Sequence, residues 1–135
     1  MSVIPEVEGK DVGGALDPVA QNLLITLSAY RFRCRTEEDF QCSIEDVLAS
    51  HQLPYLREYR LSVRDRIDFL VSTVGLEVKV NGSRSEHLRQ LGRYADSPEV
   101  GTLILAASRM RFLQGLPTSI HGKPLLGLHL RGVGL

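Results

Sequence analysis

Residues 66–80 of this chain read RIDFLVSTVGLEVKV, and this stretch decides the fold class. On both sides of Ser72-Thr73 apolar residues occupy alternate positions, a pattern typical of β-strands. A two-residue turn at Ser72-Thr73 would place opposite each other the residues whose numbers sum to 145. The stretch therefore predicts an antiparallel hairpin of two strands, 66–72 and 75–80.

Three ionisable side chains interrupt the apolar pattern of this hairpin. In the first strand Asp68 is expected to lie on the sheet face opposite Ile67 and Phe69, because successive side chains alternate between faces. In the second strand Glu77 and Lys79 share one face, and apolar residues occupy the other. All three charged side chains can therefore point to the same side of the sheet.

The register predicts a cation site at this hairpin. Asp68 would lie directly opposite Glu77, with the two Cβ atoms about 5 Å apart, and two facing carboxylates repel each other. A divalent cation removes this repulsion, because two carboxylates and a backbone carbonyl, here that of Val78, supply the hard oxygen ligands it prefers. Lys79 would then lie beside a bound water or phosphate, where an ammonium stabilises developing negative charge. The alternative is a solvent-facing strand face with no ligand.

An arm, a helix, a strand and a second helix are predicted before the hairpin. Residues 1–16 mix Pro, Gly and acids without periodicity and are expected to form a flexible arm. Asp17-Pro18 is a helix-start signal, followed by apolar periodicity over 18–28. Strict alternation over 30–35 predicts a half-buried strand.

The second helix places an acid in line with its core contacts. Thr36 can cap this helix, and Glu37, Glu38 and Asp39 occupy its first turn, where the helix dipole favours negative charge. The inward stripe at helical spacing starts at Glu37 and continues through apolar positions and Gln41. An acid and an amide are therefore expected on the inward face.

The remaining elements complete one sheet flanked by helices. Further strands are predicted at 55–61, 100–107 and 125–130, and a capping box predicts a helix over 83–95. The order α-β-α-β-β-β-α-β-β indicates an α/β or α+β fold with a central mixed sheet. At 135 residues with 43% hydrophobic content, the chain has the size of one domain, over 17–135.

Composition excludes several protein classes and indicates an anionic partner. Two cysteines, Cys34 and Cys42, are too few for a four-thiolate cluster, and no apolar run is long enough for a membrane span, so a cytoplasmic protein is expected. Residues 1–56 hold four basic and nine acidic residues, a net charge of −5. Residues 57–135 hold twelve basic and seven acidic residues, a net charge of +5. The C-terminal part is therefore the one expected to bind a polyanion. The alternative is that its arginines lie on solvated faces and bind no partner.

The hairpin and the following helix resemble a known family. RIDFLVSTVGLEVKV resembles the PD-(D/E)xK nuclease core, and SEHLRQLGRYAD resembles the Q-x-x-x-Y helix of its RecB-like and λ-exonuclease-like branch, with Gln90 and Tyr94 in the motif positions. The resemblance covers about residues 36–107 and implies a restriction-endonuclease-like αβββαβ core. Ile67 replaces the proline of the motif's name, a residue that contributes no chemistry.

The resemblance also implies roles for individual residues. Asp68 and Glu77 would be metal ligands and Lys79 the catalytic lysine. Glu37 would be the acid from the helix, with Glu38 as the alternative because helix phase is uncertain by one residue.

The Q-x-x-x-Y helix is expected to face the substrate. Gln90 and Tyr94 would lie beside the metal, act in catalysis and hold the nucleic-acid strand, and Arg89 and Arg93 would lie near phosphates. The alternative is a polar stripe on an ordinary amphipathic helix. Glu58, on the strand before the hairpin, is either an additional acid of the site or, as the sequence favours, a member of an ion pair.

The expected function is a Mg²⁺-dependent nuclease that hydrolyses phosphodiester bonds, with Mn²⁺ able to replace Mg²⁺ and DNA as the expected substrate. Self-association or a partner protein would direct so small an enzyme to its target, and no membrane is involved. Two alternatives remain open. One is a non-catalytic nucleic-acid-binding or complex-assembly subunit with the nuclease fold, and the other is an unrelated α/β binding module.

Overall fold

The elements follow one another along the chain in nearly the predicted order. The structure is a computed structural model that describes residues 16–133. Its helices and strands are α1 (Pro18–Ser28), α2 (Glu37–Ser50), β1 (Leu56–Arg60), β2 (Arg66–Val71), β3 (Val74–Lys79), α3 (Arg84–Ala95), β4 (Thr102–Ala107), a 3₁₀ turn (Met110–Phe112), β5 (Ser119–Ile120) and β6 (Lys123–His129). None of the helices in this part of the chain is long and apolar enough to cross a membrane.

The predicted hairpin is formed by β2 and β3. Its antiparallel pairs include Val71 with Val74 and Phe69 with Leu76, and the residue numbers in each pair sum to 145. The turn is therefore the two-residue one, with Ser72 at a positive φ of 57°. The predicted register of the hairpin is confirmed.

Six strands form one mixed sheet in the order β1-β2-β3-β4-β6-β5. β1, β2 and β3 form an antiparallel meander, β3, β4 and β6 run parallel, and β5 is antiparallel to β6. With three helices, the described part of the chain is a single α+β domain. Because β3 and β4 are parallel, Lys79 and Ala107 lie side by side at the same edge of the sheet.

The predicted helix starts are confirmed by their caps. The Asp17 carboxylate accepts hydrogen bonds from the first turn of α1. α2 begins with a capping box of Thr36 and Asp39, and α3 with one of Ser83 and Glu86. In each box the hydroxyl and the carboxylate satisfy backbone N–H groups that the helix itself leaves unpaired.

The helices cover the two faces of the sheet unequally. α1 and α2 pack on one face in a cluster that includes Leu76 and Val78 of β3 and the following residue, Val80. α3 packs on the other face through Leu91 and Ala95. The predicted alternation in β3 is confirmed, because its apolar residues face α2 and its charged residues therefore face the α3 side.

The predicted faces of β2 require one correction. Ile67 does not share a face with Phe69: it packs with Leu70 in the α3 cluster, whereas Phe69 packs in the α2 cluster. The Ile67 side chain lies over Gly75, where an added Cβ would come within 2.5 Å of its Cδ1 atom. The regular alternation of β2 is therefore broken at Asp68.

Two other predictions are only partly correct. The 30–35 segment alternates in burial over 31–35, but Tyr30 is exposed and the segment forms no strand; its pairing is a single parallel bridge between Phe32 and Gly132. The last strand begins earlier, at Lys123, and β5 and the 3₁₀ turn were not predicted. Except for Leu16, the expected arm over 1–16 lies outside the described residues.

Candidate active site

Asp68 and Glu77 meet where the backbone pairing of β2 and β3 ends. By the confirmed register they are the next pair after Phe69 and Leu76. Here each carboxylate binds the backbone of the opposite strand: the Asp68 N–H donates to Glu77 Oε1 at 3.2 Å, and the Val78 N–H donates to Asp68 Oδ2 at 2.8 Å. Side-chain oxygens therefore take the place of carbonyl groups in the ladder.

Burial makes this carboxylate pair costly to ionise. Glu77 is only 4% exposed, and desolvation is the main cause that raises its pKa above the usual value, with the facing Asp68 carboxylate as the second. Burial also raises the pKa of Asp68, against the effect of the hydrogen bond from Val78. A cation that binds both groups would remove the like-charge repulsion.

Lys79 supplies a counter-charge inside the site. Its Nζ atom lies 3.3 Å from Glu77 Oε2, and its side chain is 18% exposed. The ammonium group lowers the pKa of both carboxyls, although burial outweighs it. Asp68, Glu77 and Lys79 are thus brought together, as the sequence predicted.

The acid from α2 that reaches the site is Glu37. Its Oε2 atom accepts a hydrogen bond of 3.1 Å from the Val80 N–H, directly after Lys79, and its charge raises the pKa of Asp68. Glu38 points elsewhere, with Oε2 3.6 Å from Arg57 Nη2. Of the two acids Glu37 is therefore the one that lies near Asp68, although among residues 16–133 it does not form with Asp68 and Glu77 a group close enough to hold a metal ion.

Glu58 is an additional acid beside Asp68, the less favoured of the two roles that the sequence left open for it. The pairing of Arg57 with Phe69 and of Tyr59 with Ile67 places Glu58 opposite Asp68, on the other side from Glu77. Glu58 has a positive φ of 50°, is exposed, and raises the pKa of Asp68. The expected ion pair is wrong for the described residues, since none of them forms a salt bridge with it.

Gln90 lies on the sheet-facing side of α3, one turn before Tyr94. Its side chain is half-buried, and its Oε1 atom is buried without a hydrogen-bond donor from residues 16–133. An unpaired buried amide oxygen costs free energy, and such atoms in native structures call for an explanation. The catalytic role expected for Gln90 stays a prediction.

Tyr94 is a core residue, which corrects its expected role as a nucleic-acid contact. It is 1% exposed and packs with Ile67 and Leu91, and its hydroxyl donates to the Arg66 carbonyl at 2.9 Å. Burial raises the pKa of this hydroxyl, and the nearby Glu77 carboxylate raises it further. A side chain so enclosed offers no surface to a nucleic acid.

We expect Tyr94→Phe to destabilise the protein by about 1 kcal/mol, because the Arg66 carbonyl loses its donor. Tyr59→Phe is the matched control, since the Tyr59 hydroxyl bonds to Glu99 at an exposed position and its loss should change stability little. Urea unfolding of the two variants measures the difference. Equal stabilities would contradict the structural role of the Tyr94 hydroxyl.

The two arginines of α3 differ in whether a carboxylate already pairs with their charge. Both are exposed, but the Arg93 Nε atom lies 2.9 Å from Asp65 Oδ1 in a salt bridge. Arg89 forms no salt bridge with the described residues. Of the two predicted phosphate contacts, Arg89 is therefore the one whose charge is not already paired.

Asp68 and Glu77 are the two carboxylates of the site that face each other, and they are the groups that would hold a cation. Within residues 16–133 no three His, Cys, Asp or Glu side chains are grouped closely enough to hold a metal ion. Mg²⁺ in proteins is commonly held by one or two carboxylates, with water and phosphate oxygens as its other ligands. Asp68 and Glu77 are suited to that mode, since Asp68 Oδ1 forms no hydrogen bond with the described part of the chain.

Comparisons with protein-family models, with curated proteins and with solved structures find no match to this chain. Its function is therefore inferred from its own residues.

Proposed function

We propose that this protein is a metal-dependent nuclease of the PD-(D/E)xK type that hydrolyses phosphodiester bonds, with DNA as its substrate. The observation that carries the proposal is the group formed by Asp68, Glu77 and Lys79. Two facing carboxylates, one of them almost fully buried, share a site with one ammonium 3.3 Å from Glu77. Such a group costs stability unless it serves a ligand, and perturbed acids concentrate at functional sites.

The arrangement of elements supports a restriction-endonuclease-like core. α2, β1, β2, β3, α3 and β4 follow the αβββαβ order that the resemblance implies. The antiparallel meander brings Glu58, Asp68 and Glu77 into one row, and α2 adds Glu37 at the end of β3. Acids far apart in sequence thus converge at one edge of the sheet.

The roles of the chain's own residues follow from their positions. Asp68 and Glu77, with the Val78 carbonyl, would hold Mg²⁺, which when bound supplies charge stabilisation at a phosphate and a more acidic water. Lys79, oriented by Glu77, would offset negative charge on the phosphate that is attacked. Gln90 would contact the substrate through its amide, whose oxygen is buried and without a hydrogen-bond partner among residues 16–133.

A non-catalytic nucleic-acid-binding subunit is the second candidate. The observation that favours it is the lack, within residues 16–133, of a group of three metal-binding side chains. It predicts binding of a nucleic acid with no cleavage under any metal condition.

The test is a cleavage assay on single-stranded and duplex DNA and RNA. We expect cleavage with Mg²⁺ or Mn²⁺ and none with EDTA, because without a cation the carboxylate pair repels the phosphate. Cleavage that proceeds equally well in EDTA would contradict the metal assignment. Binding without cleavage in Mn²⁺ would favour the second candidate.

A further inference from the structure

Val80 joins two distant parts of the chain at the end of β3. The residue is 6% exposed and packs in the core cluster with α1 and α2. Its N–H donates to Glu37 Oε2 at 3.1 Å, and its carbonyl accepts a hydrogen bond of 3.1 Å from the Nε atom of Arg109. The residue directly after Lys79 therefore positions both an acid of the site and an arginine.

Arg109 belongs to a segment to which the sequence interpretation assigned no function. It follows β4 by two residues and precedes the 3₁₀ turn Met110–Phe112. Ala107 is the register partner of Lys79. Arg109, two residues after Ala107, therefore lies at the same edge of the sheet as the carboxylates. The hydrogen bond from Nε then fixes the side chain across the end of β3.

The guanidinium group of Arg109 keeps its charge available. Arg57 and Arg93 are both paired with carboxylates, Glu45 and Asp65 respectively. The partner of Arg109 is instead a neutral carbonyl, the residue is exposed, and within residues 16–133 nothing bonds to its Nη1 and Nη2 atoms. Two donors with an unpaired positive charge match the geometry of a phosphate group.

We infer that Arg109 binds a backbone phosphate of a nucleic-acid strand at the carboxyl end of β3. This inference rests on the proposed function, because it assumes that the strand passes Lys79. A side chain anchored through Nε loses little conformational entropy on binding, so Arg109 is preorganised to contact the phosphate. The excess of positive charge in residues 57–135 is consistent with this ligand.

The experiment measures equilibrium binding of a fluorescein-labelled DNA oligonucleotide, single-stranded and as a duplex, in EDTA over a range of salt concentrations. We expect Arg109→Ala to weaken binding about tenfold and to reduce the slope of log K against log salt by about one, because one phosphate contact is lost. Arg31→Ala is the matched control. Arg31 is exposed and, among the described residues, has no hydrogen bond or salt bridge that fixes its side chain, so its removal should change both quantities less than Arg109→Ala does.

Two further variants separate charge from structure. Arg109→Lys keeps the charge and should retain the salt slope, whereas Arg109→Gln can still donate to the Val80 carbonyl but should bind as weakly as Arg109→Ala. If Arg109→Gln binds as tightly as the unmodified protein, Arg109 is structural and the inference is wrong. Unchanged melting temperatures would show that the variants are folded.

The outcomes distinguish this inference from the proposed function. Cleavage by the unmodified protein together with unchanged binding by Arg109→Ala overturns the inference alone. Binding that depends on Arg109, without cleavage in Mn²⁺, supports the inference and overturns the nuclease proposal. If the unmodified protein binds neither form of the oligonucleotide, the inference is overturned directly.

Discussion

Asp68→Asn is expected to abolish cleavage and at the same time to stabilise the metal-free protein. The asparagine oxygen can still accept the hydrogen bond from the Val78 N–H, which is 2.8 Å long in the parent structure, so the hairpin should keep its shape. The substitution removes one of two facing negative charges, one of which is almost fully buried. It also removes a charged oxygen ligand that a magnesium ion requires.

The gain in stability should depend on pH. The pKa values of both carboxyls are raised in the folded state, chiefly by burial, so the folded protein holds more protons than the unfolded chain above about pH 4. Stability of the parent therefore falls as pH rises from about 4 through the raised pKa values. The other charged groups that face Asp68 are Lys79, Glu37 and Glu58.

Urea unfolding with and without Mg²⁺ measures both effects. We expect Asp68→Asn to raise the free energy of unfolding by about 1 kcal/mol at pH 8, with little change near pH 4, and to lose the stabilisation by Mg²⁺. Asp46→Asn, at an exposed position of α2, serves as the control. An Asp68→Asn variant that still cleaves DNA and is still stabilised by Mg²⁺ would contradict the assignment of Asp68 as a ligand.

Lys79→Met is expected to reduce cleavage at least a hundredfold, about 2.7 kcal/mol of transition-state stabilisation, and to retain binding of Mg²⁺. Methionine keeps much of the side-chain volume and removes the ammonium that lies 3.3 Å from Glu77. Without that charge the pKa of Glu77 should rise further, because the ammonium is one of the groups that lower it.

Isothermal titration with Mg²⁺ and single-turnover cleavage separate the two roles. Lys79→Arg, which keeps the charge but changes its geometry, should fall between the parent and Lys79→Met in rate. The assignment would be reversed if Lys79→Met lost Mg²⁺ binding while Asp68→Asn retained it.

The features that could be predicted from sequence are those set by short-range chemistry. The two-residue turn at Ser72-Thr73 determines the register of the hairpin and hence the meeting of Asp68 with Glu77. The capping boxes that start at Thr36 and Ser83 determine where α2 and α3 begin. Each depends on neighbours within a few residues, so the sequence contains all the information required.

Features that depend on tertiary contacts were missed or misassigned. Alternation placed Ile67 with Phe69, but the break at Asp68 turns Ile67 to the face covered by α3. For Glu58 an ion pair was favoured over a place beside Asp68, because the loop between β1 and β2 does not specify the register of the two strands from sequence. Tyr94 fits a motif, yet its burial depends on how α3 packs on the sheet.

The bonds between Asp68 and Val78 and between Glu77 and Asp68 give the sheet an unusual junction. Sheets are ordinarily joined by hydrogen bonds between backbone amide groups, which do not titrate. The pairing of two strands therefore does not usually depend on pH or on bound ions. At this junction the acceptors are carboxylates, so a proton or a cation bound by them changes the strength of the bonds that hold β2 to β3. The pairing of β2 with β3 and the occupancy of the carboxylate site are thereby linked through one pair of side chains, Asp68 and Glu77.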